Sequence, residues 1–457
     1  MSDSAGVPTP VDEQPPGALD RALRLFGDVR AGEGATVLLM CLNVFLLLMA
    51  YYILKTAREP LILLAGGAEL KSYAAAAQAL TLIAYVPLYG WVAQNLPRQR
   101  FLAAVILFFV GCIQLFYLGH RVGLPYLGFV FFVWVGIFSL TTIAQFWSYA
   151  NEIYTRPEGE RLFPLIAIGS TTGAPLGAAA AARMFGHGRS PFLMMEIAAA
   201  VLVVHLALYR VVAGRMAAKA GRPAEEPIKG GNGFALVLKS PYLRLVALLL
   251  VVLNIVNTVG EFILGQAVVA HADARHALDA SFSREAYIGS FYGHYFLLTN
   301  LAAIVLQAFV VTRLVKRFGL RGAIYALPLV ALCAYGSAAF GAALGVLLYV
   351  KVAENGTDYS VMNTAKQMIW LPTSREEKYK AKQAIDTFFV RAGDMLAAGV
   401  VFVGTHLVHR GVPGFARLNM NFVFLAMLVA WLLVRENRRL TRPAAAEAQG
   451  SAVQEAS

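Results

Sequence analysis

The chain has 457 residues, of which 58% are hydrophobic and only 14% charged; this excludes an ordinary soluble domain and places it among polytopic membrane proteins. The net charge of +12 would suit nucleic acid, but the surplus Lys and Arg gathers in alternate loops between apolar segments, where it reports orientation in a bilayer. Cys41, Cys112 and Cys333 all lie in apolar runs, so they read as small core or lipid-facing residues, not as a disulfide framework or a thiolate metal site.

The stretch MSDSAGVPTPVDEQPPGALD is acidic and Pro-rich, with no basic n-region or cleavage site. Residues 1–34 are therefore expected to be a disordered cytoplasmic tail and not a signal peptide. A membrane span needs about 20 residues. On that rule helices are predicted over 36–58, 72–95, 101–119, 124–153, 162–184 and 191–213, which make an N-terminal half over 35–213. Residues 214–240 follow as a basic linker, carrying Arg215, Lys219, Arg222, Lys229 and Lys239 among Gly and Pro. A second set is predicted over 241–270, 288–314, 321–341, 343–370, 381–408 and 414–435, which make a C-terminal half over 241–435; the Ala-rich residues 436–457 read as a disordered cytoplasmic tail. Arg98 and Arg100, then Arg313, Lys316, Arg317 and Arg321, then Arg435, Arg438, Arg439 and Arg442 fall on the linker side, so both termini are expected in the cytoplasm of a cell with this protein in its inner membrane.

The segment YANEIYTRPEGERLFP after the fourth span and TAKQMIWLPTSREEKYK after the tenth share a polar helix exit, a Pro and a mixed-charge loop. This weak repeat predicts an all-α membrane protein of about twelve spans in two six-helix halves, the major-facilitator architecture, whose substrate site lies between the halves near the midplane. Gly169, Gly173 and Gly177 recur every fourth residue on the fifth span and read as close helix packing.

Charges inside spans are the candidate site, because each costs roughly 2.5 to 3.5 kcal/mol at the bilayer centre. In AYYILKTAREPLILL, Lys55, Arg58 and Glu59 fall within one turn, with Lys55 and Glu59 spaced for a mutual pair. They read either as snorkelling side chains at the outer interface or, if Pro60 bends the helix, as a cavity wall for an anionic substrate. Glu261 stands in the seventh span with no adjacent basic residue and needs a distant partner, a proton or water. Lys351, Glu354, Asn355 and Asp358 follow the three-and-four spacing of one helix face. Lys378, Lys380 and Lys382 form a basic run before the eleventh span. His205, His294, His406 and His409 make no metal-ligand grouping, and no P-loop is present, so neither a metal, a cofactor, ATP hydrolysis nor other enzymatic chemistry is expected.

Four segments in order, YYILKTAREPLILLAGGAELKSY, FWSYANEIYTRPEGERLFPLIAIGS, SPYLRLVALLLVVLNIVNTVGEFIL and KQMIWLPTSREEKYKAKQAID, resemble the ATP/ADP translocases of plastids and obligate intracellular bacteria. The resemblance covers nearly the whole membrane region. It implies exchange of adenine nucleotides, with basic residues holding phosphates. It places Arg58 on a family Lys, Glu261 on a family Glu, and Lys378, Lys380 and Lys382 on family lysines. The chain departs from the family where the apolar stretch around Val135 stands in place of a fourth-span Glu, where FILGQAVVAH lacks lysines, and where Asp358, Tyr359 and Ser360 stand in place of Lys-Tyr-Ser.

The leading expectation is thus an ATP/ADP antiporter working by alternating access, with Lys55, Arg58, Glu261, Glu354, Asp358, Lys378, Lys380 and Lys382 as substrate-site residues. Its expected partners are a small anionic solute and the lipid bilayer, not nucleic acid, and it is expected to be a monomer. A proton-coupled transporter of another organic solute, favoured by the acidic tenth span, is the alternative, and a non-transporting membrane scaffold or sensor is the third.

Overall fold

The computed structural model describes residues 17–25, 27–95, 98–217, 233–374 and 376–455. Every described regular element is helical. A short α1 (Ala18–Leu23) precedes α2 (Gly34–Asn95), α3 (Arg98–Arg121), α4 (Leu127–Ile153), α5 (Arg156–Gly186) and α6 (Pro191–Ala217). After the linker come α7 (Gly233–Lys239), α8 (Pro241–Leu278), α9 (Arg284–Val305), α10 (Thr312–Ala339), α11 (Leu344–Thr357), α12 (Asn363–Ile369), α13 (Lys382–Ala384), α14 (Val390–Phe402) and α15 (Val412–Glu455). Five π-helical stretches, Leu306–Val311, Asp358–Met362, Glu377–Ala381, Ile385–Phe389 and Val403–Leu407, occur among the later elements.

Nine helices among the described residues are long and apolar enough to cross a membrane. Two of these, 34–92 and 284–339, each carry two spans. The first is broken at Gly66 and Gly67 and the second at Gly319. Gly67, at φ 66° and ψ −166°, and Gly319, at φ 60° and ψ −152°, hold backbone conformations open only to glycine, so the chain can turn there without a loop. The helix 344–369, interrupted by Lys351, Glu354, Asp358 and Lys366, is a further span. The total is the twelve that the apolar pattern predicts.

The first span therefore continues seven residues beyond its predicted end at 58, to Ala65, and the bend expected at Pro60 lies instead at Gly66 and Gly67. Pro60 is accommodated within the helix. Lys55, Arg58 and Glu59 consequently lie inside the span and not at its interface.

Three apolar clusters divide the molecule. One belongs to the N-terminal half, around Val44, Phe109, Phe138 and Phe185. Another belongs to the linker-side part of the C-terminal half, around Leu249, Ile324 and Leu433. The third joins the halves, with Ile62, Leu63 and Ala68 packed in the same core as Val259, Phe262 and Tyr292. Within the first half, a Cβ at Gly169, Gly173 or Gly177 would strike the backbone carbonyls of Cys41, Phe45 and Met49. The four-residue glycine spacing thus sets α5 directly against the first span, as read from the sequence. Between the halves, Gly289 and Gly293 of α9 sit on Phe185 and Ala182 of α5 with no room for a side chain.

In the N-terminal segment expected to be disordered to residue 34, the described residues 17–25 and 27–34 are folded against the first half. Asp20 accepts hydrogen bonds from the backbone amides of Gly17, Gly32 and Gly34 at 2.9–3.1 Å. The amides of Gly32 and Gly34, ahead of that of Gly17, hold its carboxyl below the usual range. Glu33 adds a pair with Arg161 of α5 at 2.9 Å. In the linker, Lys219, Arg222 and Lys229 lie outside the described residues, whereas Lys239 ends the short α7. The expected C-terminal tail from 436 continues α15 to Glu455, consistent with the high helix propensity of its Ala-rich sequence.

Candidate functional site

Buried charges from both halves converge between the third apolar cluster and the linker side. Glu59, fully buried, is ion-paired with Lys71 at 2.7 Å and accepts from Arg58 at 3.1 Å. Lys71 also reaches Glu261 of α8 at 3.3 Å, so an N-half cation bridges carboxylates of both halves. Glu261 further accepts from the Tyr295 hydroxyl at 2.8 Å and the Asn355 amide at 3.3 Å, with Lys351 at 4.0 Å. The distant partner that Glu261 needed is thus Lys71. The predicted second span starts one residue too late to include it; the helical run in fact resumes directly after Gly67.

Lys55 is buried but does not form the Lys55–Glu59 pair that its spacing allows. Its ammonium lies 4.4 Å from the Phe296 ring centroid, 5.0 Å from Tyr52 and 5.9 Å from Tyr51. Glu59 turns instead to Lys71 and Arg58, and no carboxylate reaches Lys55 among the described residues. Arg58 stacks over Phe132 at 4.1 Å. Aromatic faces stabilise a desolvated cation by about 2 kcal/mol, which leaves the hydrogen-bonding capacity of Lys55 unspent.

The tenth span presents the face read from its spacing. Lys351 donates to Glu354 at 3.0 Å and to Asn257 of α8 at 3.2 Å. Glu354 accepts from the Tyr335 hydroxyl at 2.6 and 2.8 Å. Lys351 thus neutralises Glu354 locally. Asp358, the acid standing where the resembling family has a Lys, opens a π-helical turn and meets Lys366 at 3.2 Å. The charge reversal is compensated eight residues along the same span. Val135, in the apolar stretch of the fourth span, is fully buried in the N-half core.

Two cavities flank Asn257 and Asn355, which line both. The one between the halves, about 160 Å³, is lined by Lys55, Arg58, Glu59, Lys71, Glu261 and Tyr359 among others. The other, about 230 Å³, lies toward the linker and includes Glu354, Asp358, Lys366 and Asp386. Lys55, Arg58, Glu261, Glu354 and Asp358 are thus brought together. Lys378, Lys380 and Lys382 are not: they sit at the linker-side entrance of the eleventh span, where Lys380 pairs with Glu376 at 2.7 Å and Lys382 donates to Gln367 at 3.0 Å. Beside the cavities, Asp394 of α14 accepts from Asn254 and Thr258 of α8 at 2.8 and 2.9 Å, and Arg391 stands 3.3 Å from its other oxygen. Lys71, Tyr295, Tyr335 and Asn257 were not singled out from the sequence, and Glu59 was read only as a partner for Lys55. The tyrosines and Asn257 look like ordinary span residues, and only the fold shows which face of the helix they occupy.

The cross-half contacts described here favour the far end from the linker. Lys71 to Glu261, Gly265 against Ala68, and Gly293 against Ala182 all lie there. At the far rim His406 approaches Glu69 at 2.5 Å, and Tyr73 also donates to Glu69.

No family model matches the chain. It is 24% identical over 331 residues to ADP,ATP carrier protein 1 of Chlamydia trachomatis serovar D, covering 63% of this chain and 60% of the relative. It is 24% identical over 292 residues to the like-named protein of Chlamydia muridarum, covering 54% and 53%, and 22% identical over 331 residues to that of Chlamydia pneumoniae, covering 63% and 62%. The match therefore spans about three fifths or less of the length of these curated relatives. Among solved structures, the nucleoside transporter NupG superposes with a TM-score of 0.66 at 13% identity, covering 88% of this chain and 98% of that one. A bacterial homologue of the iron transporter ferroportin in an inward-facing state gives 0.62 at 11% identity, covering 87% and 98%. With its twelve spans in two halves and these similarities, the chain is a multi-pass membrane protein of major-facilitator-like fold, similar in sequence to ADP,ATP carrier proteins.

Proposed function

We propose that the protein exchanges adenine nucleotides across a bacterial inner membrane by alternating access of its two halves, with the linker and both termini cytoplasmic. Lys55 carries this reading: a buried cation between the halves that is ringed by aromatic faces and, among the described residues, free of carboxylate contact is poised for an anionic group. In the proposal a nucleotide phosphate enters from the linker side and takes its first contacts from Lys55 and Arg58. The two cavities together exceed the roughly 300 Å³ at the lower end of small-molecule sites, and Asn257 and Asn355 lie where they meet. Lys71 bridges Glu59 and Glu261, so an anion arriving beside it competes with Glu261 and loosens the cross-half contact. That competition supports exchange over free cycling, because an empty carrier keeps the Lys71–Glu261 bridge and resists reorienting. The relatives named ADP,ATP carriers support the substrate class.

The test is uptake of labelled ATP by liposomes carrying the purified protein. Uptake into ADP-loaded vesicles and not into empty ones supports exchange; undiminished rates in Arg58→Ala and Glu261→Gln would sink the assigned site. A second reading, proton-coupled transport of another organic solute, is favoured by the Lys351–Glu354–Tyr335 cluster, where a buried carboxylate could take up a proton during the cycle. It predicts uptake into empty vesicles driven by an imposed proton gradient.

A further inference from the structure

On the linker side of the C-terminal half, away from the central cavities, Arg321 and Tyr325 of α10 and Trp431, Arg435, Arg438 and Arg439 of α15 border a cavity of about 380 Å³. It is larger than either central cavity. Arg439 stands 3.3 Å from Glu436, whereas Arg321, Arg435 and Arg438 have no carboxylate partner among the described residues. The Arg435 guanidinium lies 5.7 Å from the Trp431 ring centroid. The positive-inside rule accounts for arginines at span ends. It does not account for their convergence on one cavity with an indole and a phenol in its wall.

A second feature says what fits there. Phe424, Leu428 and Trp431, each 50–54% exposed, recur at intervals of four and three residues, and Arg435 follows four residues on. One face of α15 therefore runs from bare apolar side chains straight into the arginines. The matching molecule has an apolar body and an anionic head, oriented along the membrane normal.

We propose that this cavity binds the phosphate headgroup of an anionic phospholipid, with an acyl chain lying along Phe424 and Leu428. Arg321, Arg435 and Arg438 hold the phosphate oxygens, and Trp431 marks the boundary between head and chain, as basic pockets between spans do on cytoplasmic faces.

The experiment is native mass spectrometry of the full-length protein in neutral detergent. Phosphatidylglycerol, phosphatidylcholine of the same chain length and inorganic phosphate are titrated separately. Retention of phosphatidylglycerol over phosphatidylcholine is expected. Replacing Arg321, Arg435 and Arg438 together by Gln should weaken that retention about a hundredfold, and replacing them by Lys should restore most of it. The single change Arg438→Gln, expected to weaken retention about fivefold, keeps the test valid if the triple variant does not fold. Equal retention of the two lipids, or retention unaffected by the Gln variants, would overturn the proposal. So would displacement of the lipid by equimolar inorganic phosphate, which would mark a free-anion site. ADP binding is followed in the same spectra, so a failed nucleotide assignment and a failed lipid site give separate readings.

Discussion

The two halves bring opposite charge to the central cavities. The N-terminal half contributes Lys55, Arg58 and Lys71 against the single acid Glu59, while α8 and the tenth span contribute Glu261, Glu354 and Asp358 against Lys351 and Lys366. Most of these charges are already matched, within a half or, through Lys71 and Glu261, between the halves. Among the described residues Lys55 is the exception, held by ring faces. In the proposed function the matched ions position the halves and the unmatched one meets the solute. Buried pairs are weak evidence for stability but break at high cost when one partner goes, so the two kinds of charge should respond differently to mutation.

Removing the cross-half charge should have the largest effect. In Glu261→Gln the carboxylate that gathers Lys71, Tyr295 and Asn355 is gone. Breaking a buried pair costs about 3 to 5 kcal/mol, so exchange in liposomes should fall at least about a hundredfold, and the melting temperature should fall as well. Retained exchange would place the coupling elsewhere. Lys55→Gln should be milder and of another kind. It takes away an anion contact worth about 1.5 to 3 kcal/mol but leaves the ion pairs of Glu59, Glu261 and Glu354 intact. Half-saturation for nucleotide should rise about 10- to 100-fold with folding unaffected; a loss of fold instead would make Lys55 structural. Smaller again is Tyr335→Phe. It deletes the hydroxyl that donates to Glu354 while Lys351 still holds that acid, so about 1 kcal/mol is at stake. Nucleotide exchange should change less than about fivefold, whereas a large change that depends on an imposed proton gradient would favour the proton-coupled reading.

How much of this could be seen in the sequence depends on whether the signal was local. Span positions follow from apolar length, and the tenth-span face followed from three-and-four spacing because Lys351, Glu354 and Asn355 lie on one helix. The structure keeps that face, and the π-helical turn begins only at Asp358. Burial of Glu261 marked it as needing a partner, but nothing along the chain says that the partner is Lys71, 190 residues earlier. Lys71 sat one residue outside the predicted second span, whereas Gly67 turns the chain within one continuous helical run that includes it. Lys55 and Glu59 show the reverse failure: their spacing licenses a pair, and a better partner from the next span took the carboxylate.

The lysines before the eleventh span give the smallest expected effect and the cleanest check on the charge comparison. The family resemblance places Lys380 on a family lysine, yet its ammonium is engaged by Glu376 one helical turn away, and neither central cavity includes it. Glu376 is about half exposed, and pairs of this kind contribute about 0.2 to 1 kcal/mol. Lys380→Ala should therefore leave half-saturation within about twofold at physiological salt. If the entrance lysines steer anions toward the cavity, the effect should appear at low ionic strength, as a fall in initial uptake rate that vanishes when salt shortens the Debye length to about 8 Å. A loss of exchange as large as that of Lys55→Gln, persisting at high salt, would mean that the run closes over the substrate in another state of the cycle, and that matched charges as well as the unmatched one contact the solute.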